Sequence, residues 1–100
     1  LADMYAKIAW ITLLSGGSRQ QAVQAAKRGL DLDPEQVRTD PIAAHAYLFN
    51  DQFQEAQKIY REGLRSSDPG FRQSVSEDFE KLRENRIFHR GIAKIERLLK

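Results

Sequence analysis

The stretch IAWITLLSGGSRQQAVQAAKRGL, residues 8–30, returns 34 residues later as IAAHAYLFNDQFQEAQKIYREGL, residues 42–64. Seven of the 23 aligned pairs are identical, which is more than unrelated segments of this length would share. A fixed period in this range is typical of stacked supersecondary units, each of which buries its apolar face against a neighbour. The repeat therefore predicts an array of similar units.

The spacing of apolar residues at three and four predicts that each unit is a pair of helices. The expected helices cover about residues 3–14, 19–31, 41–49, 52–65, 70–84 and 91–99. Ser18, Asp40 and Asp51 are expected to cap helix starts, and Pro34 to end a helix. No segment alternates long enough to predict a strand. The sequence thus predicts an all-α domain over residues 1–100, built from three antiparallel helix hairpins.

Composition narrows the class of protein. The chain is 41% apolar and 30% charged, with a net charge of +2 and no cysteine. Mixed charges of both signs argue against nucleic-acid binding, and the longest nearly apolar run, residues 8–14, is too short to span a membrane. Because the chain begins at Leu1 without an initiator methionine and has no signal-peptide pattern, we expect a piece of a larger protein, and we favour a bacterial one. The compartment stays open, with the cytoplasm favoured.

Small and aromatic residues recur at matching places in the two units. The first unit has Ala22, Ala26, Gly29 and Pro34, and the second has Tyr47, Phe53, Ala56, Tyr60, Gly63 and Pro69. This pattern resembles the tetratricopeptide repeat, a helix–turn–helix unit of 34 residues. The resemblance implies a right-handed superhelix, with repeat 1 at about 3–34, repeat 2 at about 37–69 and a degenerate or capping hairpin at about 70–100.

The first unit departs from the family pattern at its tryptophan. Ala6 stands where the family has tryptophan, and Trp10 stands where the family has a small residue. A large ring facing a helix that offers only alanine and glycine would conserve the packed volume. We therefore expect Trp10 to lie in the core, against the second helix.

The resemblance implies a concave surface, lined by the first helices of the hairpins, that binds a peptide or a partner helix. The residues expected on or near this groove are Met4, Lys7, Ile11, Arg38, His45, Leu48, Phe49 and Arg72. Apolar side chains would supply contact area and cations would hold an acidic group. The variant of the family that clamps C-terminal carboxylates is disfavoured, because Ile11 and Ile42 stand where it has asparagines.

Catalysis finds little support in the residue pattern. The two histidines, His45 and His89, are 44 residues apart and neither has an adjacent nucleophile or a metal-ligand spacing. The acidic residues 77–84 read as an exposed helix face with ion pairs along the helix. We therefore expect no enzyme, metal or cofactor, and a protein or peptide as the partner.

Three other functions stay open. The hairpins could form an end cap or a homo-oligomer without a separate ligand. RNA binding by related 35-residue repeats is disfavoured by the 34-residue period and the small net charge. An enzyme is the least favoured of the alternatives.

Overall fold

The computed structural model describes residues 1–38, 40–66 and 69–100, and residues 37 and 38 only by their backbone. Six α-helices run along the chain: α1 (Ala2–Leu14), α2 (Arg19–Leu32), α3 (Ile42–Phe49), α4 (Phe53–Arg65), α5 (Pro69–Glu84) and α6 (Gly91–Leu98). No strand is present among these described residues, so the all-α prediction is confirmed. A short 3-10 helix, Pro34–Arg38, was not predicted, and it follows an Asp33 carboxylate that accepts a bond from the Glu35 N–H.

The helices α1, α3 and α5 end in the same kind of turn. Gly16, Asp51 and Arg86, each 35 residues after the last, have left-handed φ angles of 71°, 61° and 60°. In each turn the amide of the next residue bonds to the carbonyl five positions earlier, at 2.8–2.9 Å. This turn is the Schellman motif. A residue other than glycine that adopts its left-handed conformation lowers the stability of the fold by about 1 kcal/mol. The shared turns show that the first helices of the three pairs end alike.

The turns correct the register of the sequence repeat. Ala22 and Ala56, 34 residues apart, are both fully buried in α2 and α4. In the first helices, however, the fully buried pair is Ala9 and Ala44, which are 35 residues apart. The first turn is one residue longer, because α2 begins at Arg19, three residues after its left-handed glycine, whereas α4 begins two residues after Asp51. The 34-residue alignment is therefore off by one residue in α1 and α3.

Of the three expected helix caps, the one at Ser18 is present as predicted, whereas the N-cap of α3 is Pro41 and Asp40 lies one residue before it. The Ser18 hydroxyl accepts a bond from the Gln21 N–H at 3.2 Å, and the Asp40 carboxylate accepts one from the Ile42 N–H at 2.9 Å. The third expectation is wrong. Asp51 lies in the left-handed turn, and its carboxylate bonds to a histidine of the next helix pair instead of capping α4.

Small residues let the helices approach closely. Gly63 of α4 faces the ring of Phe71 in α5, and a Cβ at that glycine would lie 2.1 Å from a ring carbon. Phe71 belongs to the expected apolar face of α5, which is fully buried and also includes Val75, Phe79 and Leu82. These four side chains close the core on the side of the second hairpin.

The third helix pair is more open than the other two. Helices α5 and α6 share few close backbone contacts, and each packs on α4. A bidentate ion pair joins them, since Arg83 donates to both carboxylate oxygens of Glu96 at 2.7 and 3.0 Å. Helices α5 and α6 therefore pack on the second hairpin more than on each other. The acidic face of α5 is mostly exposed, as expected, but Asp78 is half-buried and Arg83 bonds across to α6.

Trp10 does not occupy the predicted core position. Its side chain is half-buried, and its ring centroid lies 5.8 Å from that of His45 in α3. The small surface of α2 is met instead by Tyr5, whose Cβ lies 3.5 Å from where Gly29 would carry one. At the 35-residue register Trp10 is equivalent to His45, and its ring packs against the edge of the core rather than inside it.

Candidate functional site

Helix α1 is apolar on two opposite faces, and only one of them is covered. Ala6, Ala9 and Leu13 are buried on its inner face. The outer face carries Leu1, Met4, Ile8 and Ile11, which are 80%, 49%, 45% and 63% exposed. Their spacing of three, four and three places them in one row, here called the α1 stripe. Contiguous exposed apolar surface of this kind marks interaction sites.

Cations stand on both sides of the α1 stripe. Lys7 is exposed and lies three residues after Met4 and four before Ile11, so it borders the stripe on the same helix. On the other side, Arg28 of α2 lines a shallow pocket with Tyr5, Asp31 and Leu32. Leu32 is 54% exposed and adds apolar surface there. The surface around α1 is therefore apolar at its centre, with a cation at one border and a cation beside the carboxylate of Asp31 at the other.

The predicted groove residues fall into separate groups in the structure. Met4, Lys7 and Ile11 lie together on the outer side of α1. Arg72 is exposed on α5, which packs mainly on α4, and the side chain of Arg38 lies outside the described residues. The remaining three, His45, Leu48 and Phe49, are at most 1% exposed. The expectation that these three line an accessible groove is wrong.

Helix α3 is buried because the third helix pair covers it. The ring of Phe79 in α5 lies 5.2 Å from the ring of His45. Gly91 at the start of α6 leaves room for Leu48, since a Cβ there would lie 2.5 Å from the leucine Cδ1. The ring of His89 lies 5.3 Å from that of Phe49. The third pair thus fills the space that the sequence predicted as open groove.

A buried polar network that the sequence did not predict centres on His45. Its Nδ1 lies 2.5 Å from the hydroxyl of Tyr60 in α4, and its Nε2 lies 3.0 Å from Oδ2 of Asp78 in α5. If Nε2 carries the proton it donates to the carboxylate, and Nδ1 then accepts from the tyrosine O–H. Burial, and then the negative charge of Asp78, raise the pKa of Tyr60 well above its usual value, so this hydroxyl stays a donor. The three residues are far apart in sequence, and no local motif announces them.

The order carboxylate, imidazole, hydroxyl is the one that activates a nucleophile in many enzymes. Here Tyr60 and His45 are both fully buried, so the hydroxyl offers no path to a substrate. The network instead joins α3, α4 and α5. Every buried side-chain polar atom among the described residues has a hydrogen-bond partner, which is what stable buried networks require.

Asp40 lies at the edge of this network, at the start of α3. Burial raises the pKa of its carboxyl, and the bond from the Ile42 N–H and the charge of His45 oppose that shift. The negative charges of Asp78 and Asp3 raise the pKa further. The start of α3 is therefore an unfavourable place for an ionised carboxylate.

Within residues 1–38, 40–66 and 69–100, no three His, Asp or Glu side chains are grouped so that they could hold a metal ion. Nor does any helix of this described part have the length and apolar character needed to cross a lipid bilayer. The chain matches no known protein family, no curated protein and no solved structure.

Proposed function

We propose that this chain is a non-enzymatic protein-interaction module with the stacked, superhelical hairpin arrangement of tetratricopeptide repeats. Its partner is an amphipathic helix that lies along the α1 stripe. The observation that carries the proposal is the stripe itself, four large apolar side chains exposed in one row. The three equivalent turns, at Gly16, Asp51 and Arg86, support the repeat arrangement.

The shape of the α1 stripe favours a helix as the partner. Its members span residues 1–11, which at 1.5 Å per residue is a straight ridge of about 15 Å. Ridges of this kind pack into the grooves of another helix, and amphipathic helices bind other proteins through apolar residues at the same spacing. Because Lys7 and Arg28 border the ridge, acidic residues beside the partner's apolar row would complement it.

A designed pair of peptides tests the proposal. One is a 14-residue helix, about four turns, with leucines spaced three and four apart and glutamates beside them; the other has lysines in place of the glutamates. We expect fluorescence anisotropy to show saturable binding of the acidic peptide and at least about tenfold weaker binding of the basic one. The double variant Ile8→Ser/Ile11→Ser should also bind the acidic peptide at least about tenfold less tightly.

A matched control variant, Gln24→Ser/Lys27→Ser, changes two exposed residues of α2 and should bind within about twofold of the wild type. Circular dichroism should show that both double variants keep their helix content. Failure of the acidic peptide to bind, or equal binding to the stripe variant, would refute a helix-binding role. The alternative is that the α1 stripe binds a second copy of this chain, and sedimentation equilibrium tests it. A mass that rises with concentration in the wild type but not in the stripe variant would establish self-association in place of a separate partner.

A further inference from the structure

A second pocket, distinct from the α1 stripe, opens where the turn after α1 meets the turn after α5. Its volume is about 260 Å³. Leu13, Phe49 and Ile87 give it apolar walls, and Arg19 and Arg86 line it from opposite ends of the sequence. It therefore combines an apolar surface with two cations, in a space slightly smaller than the roughly 300 Å³ at which ligand pockets usually begin, which restricts it to a small ligand.

Within the described residues, Arg19 and Arg86 form no ion pair with a carboxylate, and both side chains are exposed. The guanidinium carbon of Arg19 lies 5.9 Å from the centroid of the Phe49 ring. The hydrogen bond with His89, at 2.7 Å, lowers the pKa of Asp51, and the charge of Arg19 lowers it further. The pocket therefore has two cations at its border, of which only Arg19 lies within reach of the charge of Asp51.

The turn after α5 explains why Arg86 lies at the pocket. Its left-handed φ of 60° belongs to the Schellman turn, which is closed by the bond from the Ile87 N–H to the carbonyl of Leu82 at 2.8 Å. Glycine would be less strained in this turn, so Arg86 adds a charge to the pocket at some cost in stability.

We propose that this pocket binds a small organic carboxylate with an apolar body. Guanidinium groups bind carboxylates through paired N–H donors, so Arg19 and Arg86 together would hold the charged end. The apolar end would lie on Ile87 and Phe88, the two apolar lining residues with accessible surface. The site does not depend on the α1 stripe, because the two share no residue.

Phenylacetate is a suitable probe, with phenylacetamide as its uncharged counterpart and acetate as its counterpart without the ring. In amide NMR titrations of the full chain, we expect phenylacetate to shift the signals of Gly16 and Gly17 saturably. The two counterparts should bind at least about tenfold more weakly, because each lacks one of the two interactions. Equal binding of phenylacetamide or of inorganic phosphate would overturn the proposal.

The variant Arg86→Gly separates binding from folding. Glycine accepts the left-handed turn, so this variant should unfold at a higher temperature than the wild type while binding phenylacetate at least about tenfold less tightly. Arg19→Gln should weaken binding to a similar degree. Arg97→Gln removes the same charge from an exposed site on α6 and should leave binding within about twofold. Unchanged phenylacetate binding by a folded Arg86→Gly variant would refute the site.

Discussion

Helices α1 and α3 are the first helices of two similar hairpins, and they differ in how much of their surface is covered. All of residues 43–49 in α3 are buried, whereas α1 buries only its inner face and leaves the α1 stripe exposed. At the 35-residue register, Ile8 and Ile11 correspond to Ala43 and Ala46. Alanine permits the close approach of the helices that lie on α3, and isoleucine at the same places gives α1 a ridge.

The comparison shows that an apolar face of a helix can be either enclosed or exposed in this fold. Helix α3 is a core helix because α5 and α6 pack on it, through Phe79, Gly91 and His89. The outer face of α1 stays exposed to solvent although it is also apolar. The difference lies in the neighbours that the chain supplies, and substitutions on the covered and uncovered sides should reveal it.

The largest expected difference concerns the two rings that lie near His45, that of Phe79 at 5.2 Å and that of Trp10 at 5.8 Å between centroids. Phe79 of α5 is fully buried, whereas Trp10 of α1 is half-buried. Phe79→Ala should lower the free energy of unfolding by about 4 kcal/mol, and Trp10→Ala by about half as much. Urea unfolding followed by circular dichroism measures both. Equal losses would mean that the two sides of α3 are packed alike.

The second comparison uses Gly63 and Gly29, which are equivalent in α4 and α2. A Cβ at Gly63 would meet the Phe71 ring at 2.1 Å, whereas a Cβ at Gly29 would come no closer than 3.3 Å, to the carbonyl oxygen of Ala2. Gly63→Ala should therefore cost about 2 to 3 kcal/mol through overpacking. At Gly29→Ala, the gain in helix propensity of about 1 kcal/mol offsets the tighter contact, so stability should change by less than about 1 kcal/mol. A neutral Gly63→Ala would show that α5 can shift away from α4.

The third comparison concerns the turns that follow α3 and α5. Arg86→Gly removes left-handed strain without breaking a recorded bond and should stabilise the fold by about 1 kcal/mol. Asp51→Gly relieves the same strain but loses the bond to His89, so its gain should be smaller or absent. Thermal unfolding of the two variants ranks them. A larger gain for Asp51→Gly would contradict the role given to its bond with His89.

The smallest expected effect is a pH dependence of the stability of the fold, which arises from the half-buried Asp40 at the start of α3. Burial raises the pKa of this carboxyl above its ordinary 3.8, so the folded chain binds the proton more tightly than the unfolded chain. Stability therefore falls as the pH rises through the unfolded and then the folded pKa, and the cost persists at neutral pH. Asp40→Asn keeps an acceptor for the Ile42 N–H without the charge.

The Asp40→Asn variant should thus be the more stable protein at pH 7, and the difference should disappear as the pH approaches 3. The midpoints of urea unfolding, measured for both proteins from pH 3 to pH 7, test this prediction. A variant that is less stable than the wild type at neutral pH would show that the interaction of the charge with the helix start outweighs the burial.

Much of the helical structure could be predicted from local chemistry. The ends of α2 followed from Ser18 and from the proline after Asp33, and the buried face of α5 followed from Phe71 and Val75 with their helical spacing. The candidate site was predicted less well. Met4, Lys7 and Ile11 are exposed as expected, but the buried position of His45 depends on side chains 15 and 33 residues away, which no spacing rule connects.

By itself, the sequence determined that this chain is helical, where its helices begin and end to within about two residues, and that its first two hairpins are alike. These properties follow from caps, turns and apolar periodicity, which act over a few residues. Only the tertiary structure decided that α3 is enclosed while α1 is open, and that Arg19 and Arg86 meet at one pocket. Burial depends on which neighbours fold against a surface. The sequence pattern of an apolar stripe is the same whether or not another helix covers it.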